Sequence, residues 1–512
     1  MTAAQEAVFA FLADPATHSL TEPVKRIDTN GAAVFLAGPD VYKIKRAVRF
    51  PFMDLSTLEK RHAICEAEIA VNRHYAPHLY HGVVPISRAP DGSLRLGGDG
   101  EVTEWAVHMR RFNETMTLDL VAPRDGLMPG LLKRLATTVV DAFVSAEVRD
   151  GIIATNDLAG VVEETVTSLT ERTEVFPAAD TLAFADALRM AFDSARPLLL
   201  ERGDRGYARR CHGDLHLRNI VLIDGKPILF DAIEFDEHIA TIDIFYDFAF
   251  LLMDMWERGF RPEANQVLNR YLWQSETSDD DLQGLALLPL LMALRAAVRA
   301  KVEALRHVTV DGDEAARADA VRYFDQAEAF LTPAPARLVA IGGFSGTGKT
   351  TLSRAIAHAI GRAPGAVHLR SDIERKRLMD VDELDQLPSS AYEADVTEAV
   401  FATLRRDADL ALRAGHSVIV DAVHKIPEER RAIEAVARAA GAPFTGLWLT
   451  APVEMLIDRI SHRTDDASDA TAAVVMLQAD QPFGPIDWTS LDATRPLETM
   501  SANALRAIGD AS

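Results

Sequence analysis

The sequence predicts a multidomain chain: an α+β region over its longer first part, then an α/β region built on a parallel sheet. Three observations carry this. Strand-like stretches crowd the first hundred or so residues and give way to a long, mostly helical tract. The segment Thr332-Pro333-Ala334-Pro335-Ala336 holds two prolines in five residues, which stops a helix and favours extended backbone. Beyond it short apolar strands alternate with helices, the rhythm of a parallel sheet layered with helices. At 512 residues the chain exceeds one core, and roughly 150 residues per domain implies about three folding units.

The elements follow in order. Ala33-Val34-Phe35-Leu36 and Val41-Tyr42-Lys43-Ile44-Lys45 flank a Gly38-Pro39-Asp40 turn and read as a hairpin. A helix is predicted over roughly Thr57 to Arg73. Val83-Val84-Pro85-Ile86 and Trp105-Ala106-Val107-His108-Met109 read as further strands about a Gly-rich hairpin near Gly97-Gly98-Asp99-Gly100. Residues 131–202 are mostly helical. Strands return at Ile220-Val221-Leu222-Ile223 and Ile228-Leu229-Phe230, joined at Asp224-Gly225, and helices then run to about Leu331. Past the linker the strands are Leu338–Ile341, Ala366–Leu369, Ser417–Val420 and Gly446–Leu449.

Composition narrows the class. Hydrophobic content of 48% with 25% charged residues describes an ordinary globular chain. A formal charge of -22 argues against broad nucleic-acid or anionic-membrane binding. Two cysteines, Cys65 and Cys211, give no disulfide framework and fit a reducing cytosol. Met1-Thr2-Ala3-Ala4-Gln5-Glu6 makes a poor signal peptide, and the apolar run Leu285–Leu294 is shorter than the ~20 residues a membrane span needs. The expectation is a cytoplasmic protein.

Two motifs carry chemistry. The first is Cys211-His212-Gly213-Asp214-Leu215-His216-Leu217-Arg218-Asn219, followed by Leu229-Phe230-Asp231-Ala232-Ile233-Glu234-Phe235. Phosphoryl transfer of the kinase type needs an Asp at the acceptor hydroxyl, an Asn five residues on for metal, and a second Asp after a hairpin to reach the phosphates through Mg²⁺. Asp214, Asn219 and Asp231 have that layout. Here the sequence resembles the aminoglycoside phosphotransferase and choline kinase superfamily, with its His-Gly-Asp loop and protein-kinase-like two-lobed fold. The resemblance implies Asp214 as catalytic base, with Asn219 and Asp231 holding Mg²⁺. It also asks for a strand lysine on the nucleotide phosphates and a helix glutamate to brace it. Lys43 and Lys45 leave one face of a strand; Lys43 is preferred, with Glu68 as brace and Glu66 as alternative. No Gly-x-Gly-x-x-Gly loop is present, and Asp28-Thr29-Asn30-Gly31 is the only candidate phosphate cover. Asp243 and Asp247 read as helix caps or braces. Arg295, Arg299 and Lys301 could line an acceptor pocket, with a solvated helix face preferred.

The second motif, Gly343-Phe344-Ser345-Gly346-Thr347-Gly348-Lys349-Thr350, lies between a strand and a helix. That is the context a Walker A P-loop requires: backbone N–H groups from Ser345 to Thr351 curl round phosphate, Lys349 reaches the β/γ-phosphates and Thr350 ligates Mg²⁺. Asp372 and Asp421 close strands, where ligands of open α/β sheets bind, and Asp421 stands as a Walker B acid. Arg459 and Arg463, four apart, are expected on one helix face, ahead of Thr464-Asp465-Asp466-Ala467-Ser468-Asp469-Ala470. This part resembles small-molecule P-loop kinases of the gluconate kinase, polynucleotide kinase and zeta-toxin type. By that likeness Asp372 activates an acceptor hydroxyl, Arg375 grips substrate, and Arg459 or Arg463 is the lid arginine. Trp488 reads as core.

The whole arrangement, including Leu55-Ser56-Thr57-Leu58-Glu59-Lys60-Arg61 and Ser468-Asp469-Ala470, resembles a bacterial family described as AAA-type or aminoglycoside-phosphotransferase-like ATP-binding proteins. The expected organisation is a phosphotransferase-like domain over 1–332 (N-lobe about 1–112, C-lobe about 113–332), a linker at 333–336 and a P-loop NTPase domain over 337–512. The resemblance implies a bifunctional kinase using ATP and Mg²⁺ on small hydroxyl-bearing acceptors such as sugars, sugar acids or polyols. The alternatives are one catalytic domain gated by a nucleotide-binding partner domain, or a protein- or nucleotide-directed stress kinase. Nucleic acid and membrane are not expected as partners, and nothing indicates an oligomer.

Overall fold

The computed structural model describes residues 3–50, 53–309, 313–463, 466–480 and 483–509; Met1, Thr2, Thr464 and Asp465 lie outside them. The chain divides into two compact units, Met1–Gly160 with Leu200–Leu251, and Val161–Leu199 with Leu252–Ser512.

The first unit opens with helix α1 (Ala3–Ala13) and strands β1 (Lys25–Asp28), β2 (Ala32–Ala37) and β3 (Asp40–Lys45). Helix α2 (Leu58–Tyr75) follows, capped by Thr57, whose hydroxyl accepts from the Lys60 N–H at 3.3 Å. Strands β4 (Tyr80–Arg88), β5 (Leu94–Leu96) and β6 (Glu101–Arg110) complete an antiparallel sheet ordered β1-β2-β3-β6-β4-β5. Alternation along the strands gives the sheet two apolar faces. One packs Phe35, Ile44, Ile86 and Ala106 against Val8, Phe9 and Leu12 of α1. The other packs Leu36, Val41, Val107 and Met109 against Cys65 and Ile69 of α2. Short strands also occur in the rest of this unit. They include β7 (Ala208–Arg210), β8 (Ile220–Ile223), β9 (Lys226–Leu229) and β10 (Thr241–Asp243). The predicted Asp224-Gly225 turn joins β8 to β9, both residues having positive φ (51° and 73°) as a tight two-residue hairpin demands. The pairing of β7 with β10 was not expected from three-residue segments.

The second unit holds a five-stranded parallel sheet. Its strands are β11 (Leu338–Gly342), β12 (Val367–Arg370), β13 (Val418–Asp421), β14 (Phe444–Thr450) and β15 (Thr489–Asp492), ordered β12-β13-β11-β14-β15. The last strand escaped the sequence reading because only one of its four residues, Leu491, is buried. Trp488, just before it, is core as expected: a Cβ on Gly446 would lie 2.2 Å from the indole, so only glycine admits the ring there.

A strand at a sheet edge presents unpaired backbone groups that need covering. Helix α3 (Arg261–Gln274) covers the outer edge of β12 with side chains four residues apart. Asn265 donates to Pro364 O and Ala366 O, both at 3.0 Å. Asn269 accepts from the His368 N–H at 2.6 Å, and Trp273 donates to His368 O at 3.0 Å. Further on, helix α4 (Leu288–Thr309) corrects one reading: Arg295 is buried, not on a solvated face, because no residue of the helix from Leu288 to Ala300 is exposed. Arg299 pairs with Glu303 at 3.0 Å, and Lys301 pairs with Glu164. Cys65 and Cys211 are both free and buried. Among the described residues no helix is long and apolar enough to cross a membrane.

Candidate active sites

The first site is an ion-pair lattice drawn from distant parts of the first unit. Lys43 and Lys45 leave β3 on the α2 face, and Glu68 of α2, fully buried, sits between them. Lys43 Nζ is 2.8 Å from Glu68 Oε1 and 2.9 Å from Asp231 Oδ1; Lys45 Nζ is 2.6 Å from Glu68 Oε2 and 2.5 Å from Glu234 Oε1. Both lysines therefore share the brace, and Glu234 is a fifth member, to which the sequence assigns no role. Glu66 stands apart, paired with His62 at 3.4 Å. Burial opposes charge on Lys43, yet Asp231 and Glu68 outweigh it and raise its pKa well above the ordinary lysine value. Chiefly through Lys43, the Asp231 carboxyl is held below the usual carboxylate range. Asp231 adopts a left-handed backbone (φ 59°), with its N–H donating to Tyr80 Oη at 3.1 Å.

Asp214 stands on the loop between β7 and β8. Asn219 donates its amide to Asp214 Oδ2 at 2.8 Å and to Asp214 O at 3.0 Å, and His216 Nε2 lies 3.3 Å from Oδ2. The loop is fixed from beneath: Asp247 accepts from the N–H groups of His212 (2.9 Å) and Gly213 (3.2 Å). Asp243 pairs with the buried Arg202 at 2.8 Å. Both aspartates are braces, as expected.

The second site is backbone-built. Helix α5 (Lys349–Ile356) starts from Gly348, whose φ is 89°. Gly346 is also left-handed (84°), and a Cβ there would meet Leu456 O at 2.8 Å. The loop thus needs glycine to form its cradle. A cavity of about 480 Å³ is lined by residues 345–351 together with Asp372, Asp421, Arg459 and Arg463. Gly343 lies outside this lining, its N–H donating to Val423 O at 3.3 Å. Lys349 Nζ donates to Gly343 O at 2.9 Å and Phe344 O at 3.2 Å. Burial lowers the Lys349 pKa against the pull of Asp421 and Asp372. Thr350 Oγ1 and Asp421 Oδ2 are 2.5 Å apart, and His368 Nε2 lies 3.4 Å from the same oxygen. Burial pushes His368 to about 4, so it is a neutral imidazole near pH 7. A threonine hydroxyl and a carboxylate so close are the donor set that suits Mg²⁺.

Two sequence-predicted residues, Arg375 and Arg463, behave differently from expectation. Asp372, on helix α6 (Ser371–Leu378), faces the cavity, but Arg375 of the same helix does not line it. The Arg375 guanidinium donates to Ala391 O at 2.6 Å and Thr397 Oγ1 at 3.2 Å, and lies over the Tyr392 ring. Arg463 falls just beyond helix α7 (Val453–Ser461), so it shares the cavity with Arg459 but not the helix. Arg459 donates to Ala493 O at 2.8 Å, and Arg463 to Ala470 O at 3.2 Å. Gln478, on helix α8 (Ala472–Asp480), was not anticipated: its side-chain oxygen accepts from the Ser345 N–H at 2.9 Å. No motif marks it, because it lies 133 residues from Ser345 in the chain.

Comparison with known proteins bears on both sites. A family model described as "Phosphotransferase enzyme family" matches residues 153–286, and one described as "AAA domain" matches residues 338–484. A protein of Mycobacterium tuberculosis (strain ATCC 25618 / H37Rv), described as uncharacterized, is 31% identical over 470 residues, covering 89% of this chain and 90% of its own. One from Mycobacterium bovis (strain ATCC BAA-935 / AF2122/97) matches to the same extent. The chain belongs to their family. It joins a phosphotransferase domain to a P-loop kinase domain of AAA type, and it is a phosphotransferase enzyme of the kinase kind. Partial likenesses among solved structures include a choline/ethanolamine kinase family protein from Mesorhizobium loti (15% identity, 64% of this chain and 95% of that one, TM-score 0.40). Another is a gluconokinase from Sinorhizobium meliloti 1021 (20% identity, 35% and 94%, TM-score 0.26).

Proposed function

We propose that this chain is a bifunctional ATP-dependent kinase in which each site moves the γ-phosphoryl group to a hydroxyl of a small molecule, of the sugar, sugar-acid or polyol kind. One observation carries the reading: each compact unit holds a full set of phosphate-handling groups of its own, lysine, carboxylates and a candidate base. In the first site Lys43, locked by Glu68 and Asp231, offers a fixed positive charge to nucleotide phosphates. Asp214, oriented by Asn219, accepts the proton of the acceptor hydroxyl. The acceptor oxygen then bonds to the γ-phosphorus as its bond to the β–γ bridging oxygen breaks, and ADP leaves. In the second site Asp372 takes the base role, while Lys349, Arg459 and Arg463 hold the charge that develops on the transferring group. Asn219 and Asp231 in one site, and Thr350 and Asp421 in the other, would hold Mg²⁺, which would supply charge neutralisation on the phosphates. The domain limits go with this reading: 1–332, a linker at 333–336, and 337–512.

A second reading rests on helix α3, which the phosphotransferase family model includes. Its Asn269 and Trp273 hold both backbone groups of His368, and His368 touches Asp421. One segment could therefore gate the P-loop acid. ADP release against a metabolite panel separates the readings with wild type, Asp214→Asn and Lys349→Ala. Two kinases give two acceptor profiles, each abolished by one substitution alone. A gated single kinase loses everything with one substitution and shows a changed KM with the other. If no acceptor raises ADP release above the water-only rate, the small-molecule reading fails.

A further inference from the structure

The sheet of the first unit carries a cluster that neither active site uses. Asp40 on β3, His81 on β4 and His108 on β6 bring two imidazoles and a carboxylate together, with one ligand atom from each lying within 4.8 Å of the others. We infer that these three residues form a binding site for a divalent transition cation, zinc by preference.

Strand geometry explains why the three converge. Asp40, Tyr42 and Ile44 alternate onto the α1 face of β3, and Tyr42 stands opposite His108 in register. On the other side of β6, Gly82 stands opposite His108 and Tyr80 opposite Met109, so the pairing skips His81. That extra residue is a β-bulge, a device that re-aims a side chain at the cost of one ladder position. Tyr80 still points inward and is buried, while His81 is exposed on the outside of the bulge. The bulge is pinned from helix α2: Arg73 Nε donates to Tyr80 O at 3.0 Å and its Nη2 to His81 O.

The donors are also held. The His108 ring stacks on Tyr42 (centroids 4.9 Å, 8° between planes), and Tyr42 stacks on His18 at 5.2 Å. His108 Nε2 lies 2.7 Å from Asp40 Oδ1, and the His81 and His108 rings are 4.9 Å apart. Metal bonds of about 2.1 Å in a tetrahedron put donor atoms roughly 3.4 Å from one another. The Asp40–His108 pair must open slightly and His81 close slightly, and the exposed His81 side chain has room for that. An ordinary surface His–Asp pair explains Asp40 and His108 but gives no reason for the pinned bulge at His81. Two imidazoles with one carboxylate select zinc and its neighbours over Mg²⁺ or Ca²⁺, which prefer all-oxygen shells. With 24% of the His108 and 38% of the Asp40 side chain exposed, an ion has access and water can fill its fourth position.

The test is calorimetric titration of the full chain, first stripped with chelator, with ZnCl₂ in Mg²⁺-containing buffer. The inference predicts one zinc equivalent that persists in Asp214→Asn, so that it does not belong to the phosphotransfer site. His81→Ala should weaken that equivalent about 100-fold or more, since even an outer partner of a metal ligand is worth 10–100-fold. His108→Ala should do the same, with an unchanged far-ultraviolet circular dichroism spectrum showing that the sheet persists. Wild-type protein that takes up no such equivalent, or a His81→Ala variant that binds zinc as wild type does, overturns the inference.

Discussion

The two sites of this chain solve one problem by opposite means. The first assembles charge from side chains far apart in sequence: Lys43, Lys45, Glu68, Asp231 and Glu234 meet through two lobes' worth of folding. The second uses consecutive residues, 345–351, whose backbone conformation is fixed by glycines and a helix start. The contrast separates two kinds of fragility. A side-chain lattice is weakened when one charge is removed, because its buried partners lose part of their compensation. A backbone cradle keeps its shape when a side chain is lost, and forfeits only that side chain's interaction.

The largest expected effects are on rate. Lys349→Ala should lower the P-loop activity by about 10²–10³-fold, the scale of losing one preorganised charge-stabilising group, and leave the other activity unchanged. Asp214→Asn should lower the first activity by about 10²–10⁴-fold through loss of the base. Steady-state ADP release with the acceptor of each site checks both.

Stability should divide the sites next. Glu68→Ala removes the carboxylate that Lys43 and Lys45 share but leaves each its other partner, Asp231 or Glu234, so the first unit should be destabilised by about 3 kcal/mol, the low end for a broken buried pair, read by urea unfolding. Lys349→Ala should shift the unfolding midpoint little.

Acidification is expected to act more on the second unit. Burial pushes His368, His416 and His424 each to about 4. Unfolded histidine titrates near 6.5. Between these values the unfolded chain binds more protons, so stability is full above about pH 6.5 and is lost as pH falls toward 4. Hydrogen exchange of β11 and β13 amides at pH 7 and pH 5 should show the loss. The smallest effect is at the sheet edge. Asn269→Ala strands the His368 N–H and should cost about 1–3 kcal/mol, seen as faster exchange at His368.

The same contrast explains what could be read in advance. The P-loop and the Asp214–Asn219–Asp231 spacing are local, so sequence exposes them. Glu234 and the sharing of Glu68 by two lysines depend on how α2 and β3 meet the segment after β9, which no spacing records. Arg375 carried the right charge three residues from Asp372, but the 388–397 segment captures its guanidinium. Arg295 looked solvated because its helix is amphipathic by composition, yet polar positions such as Arg295 and Glu303 are buried too. The strands β7, β10 and β15, of three or four residues each, are too short to show a period. The edge-sealing row Asn265, Asn269 and Trp273 has helical spacing but looks like any polar helix face.

Calorimetry with a non-hydrolysable ATP analogue and Mg²⁺ tests the two-site claim most directly. Two bound equivalents in wild type, falling to one in Lys349→Ala, are predicted. A single equivalent that Lys349→Ala leaves intact would contradict it.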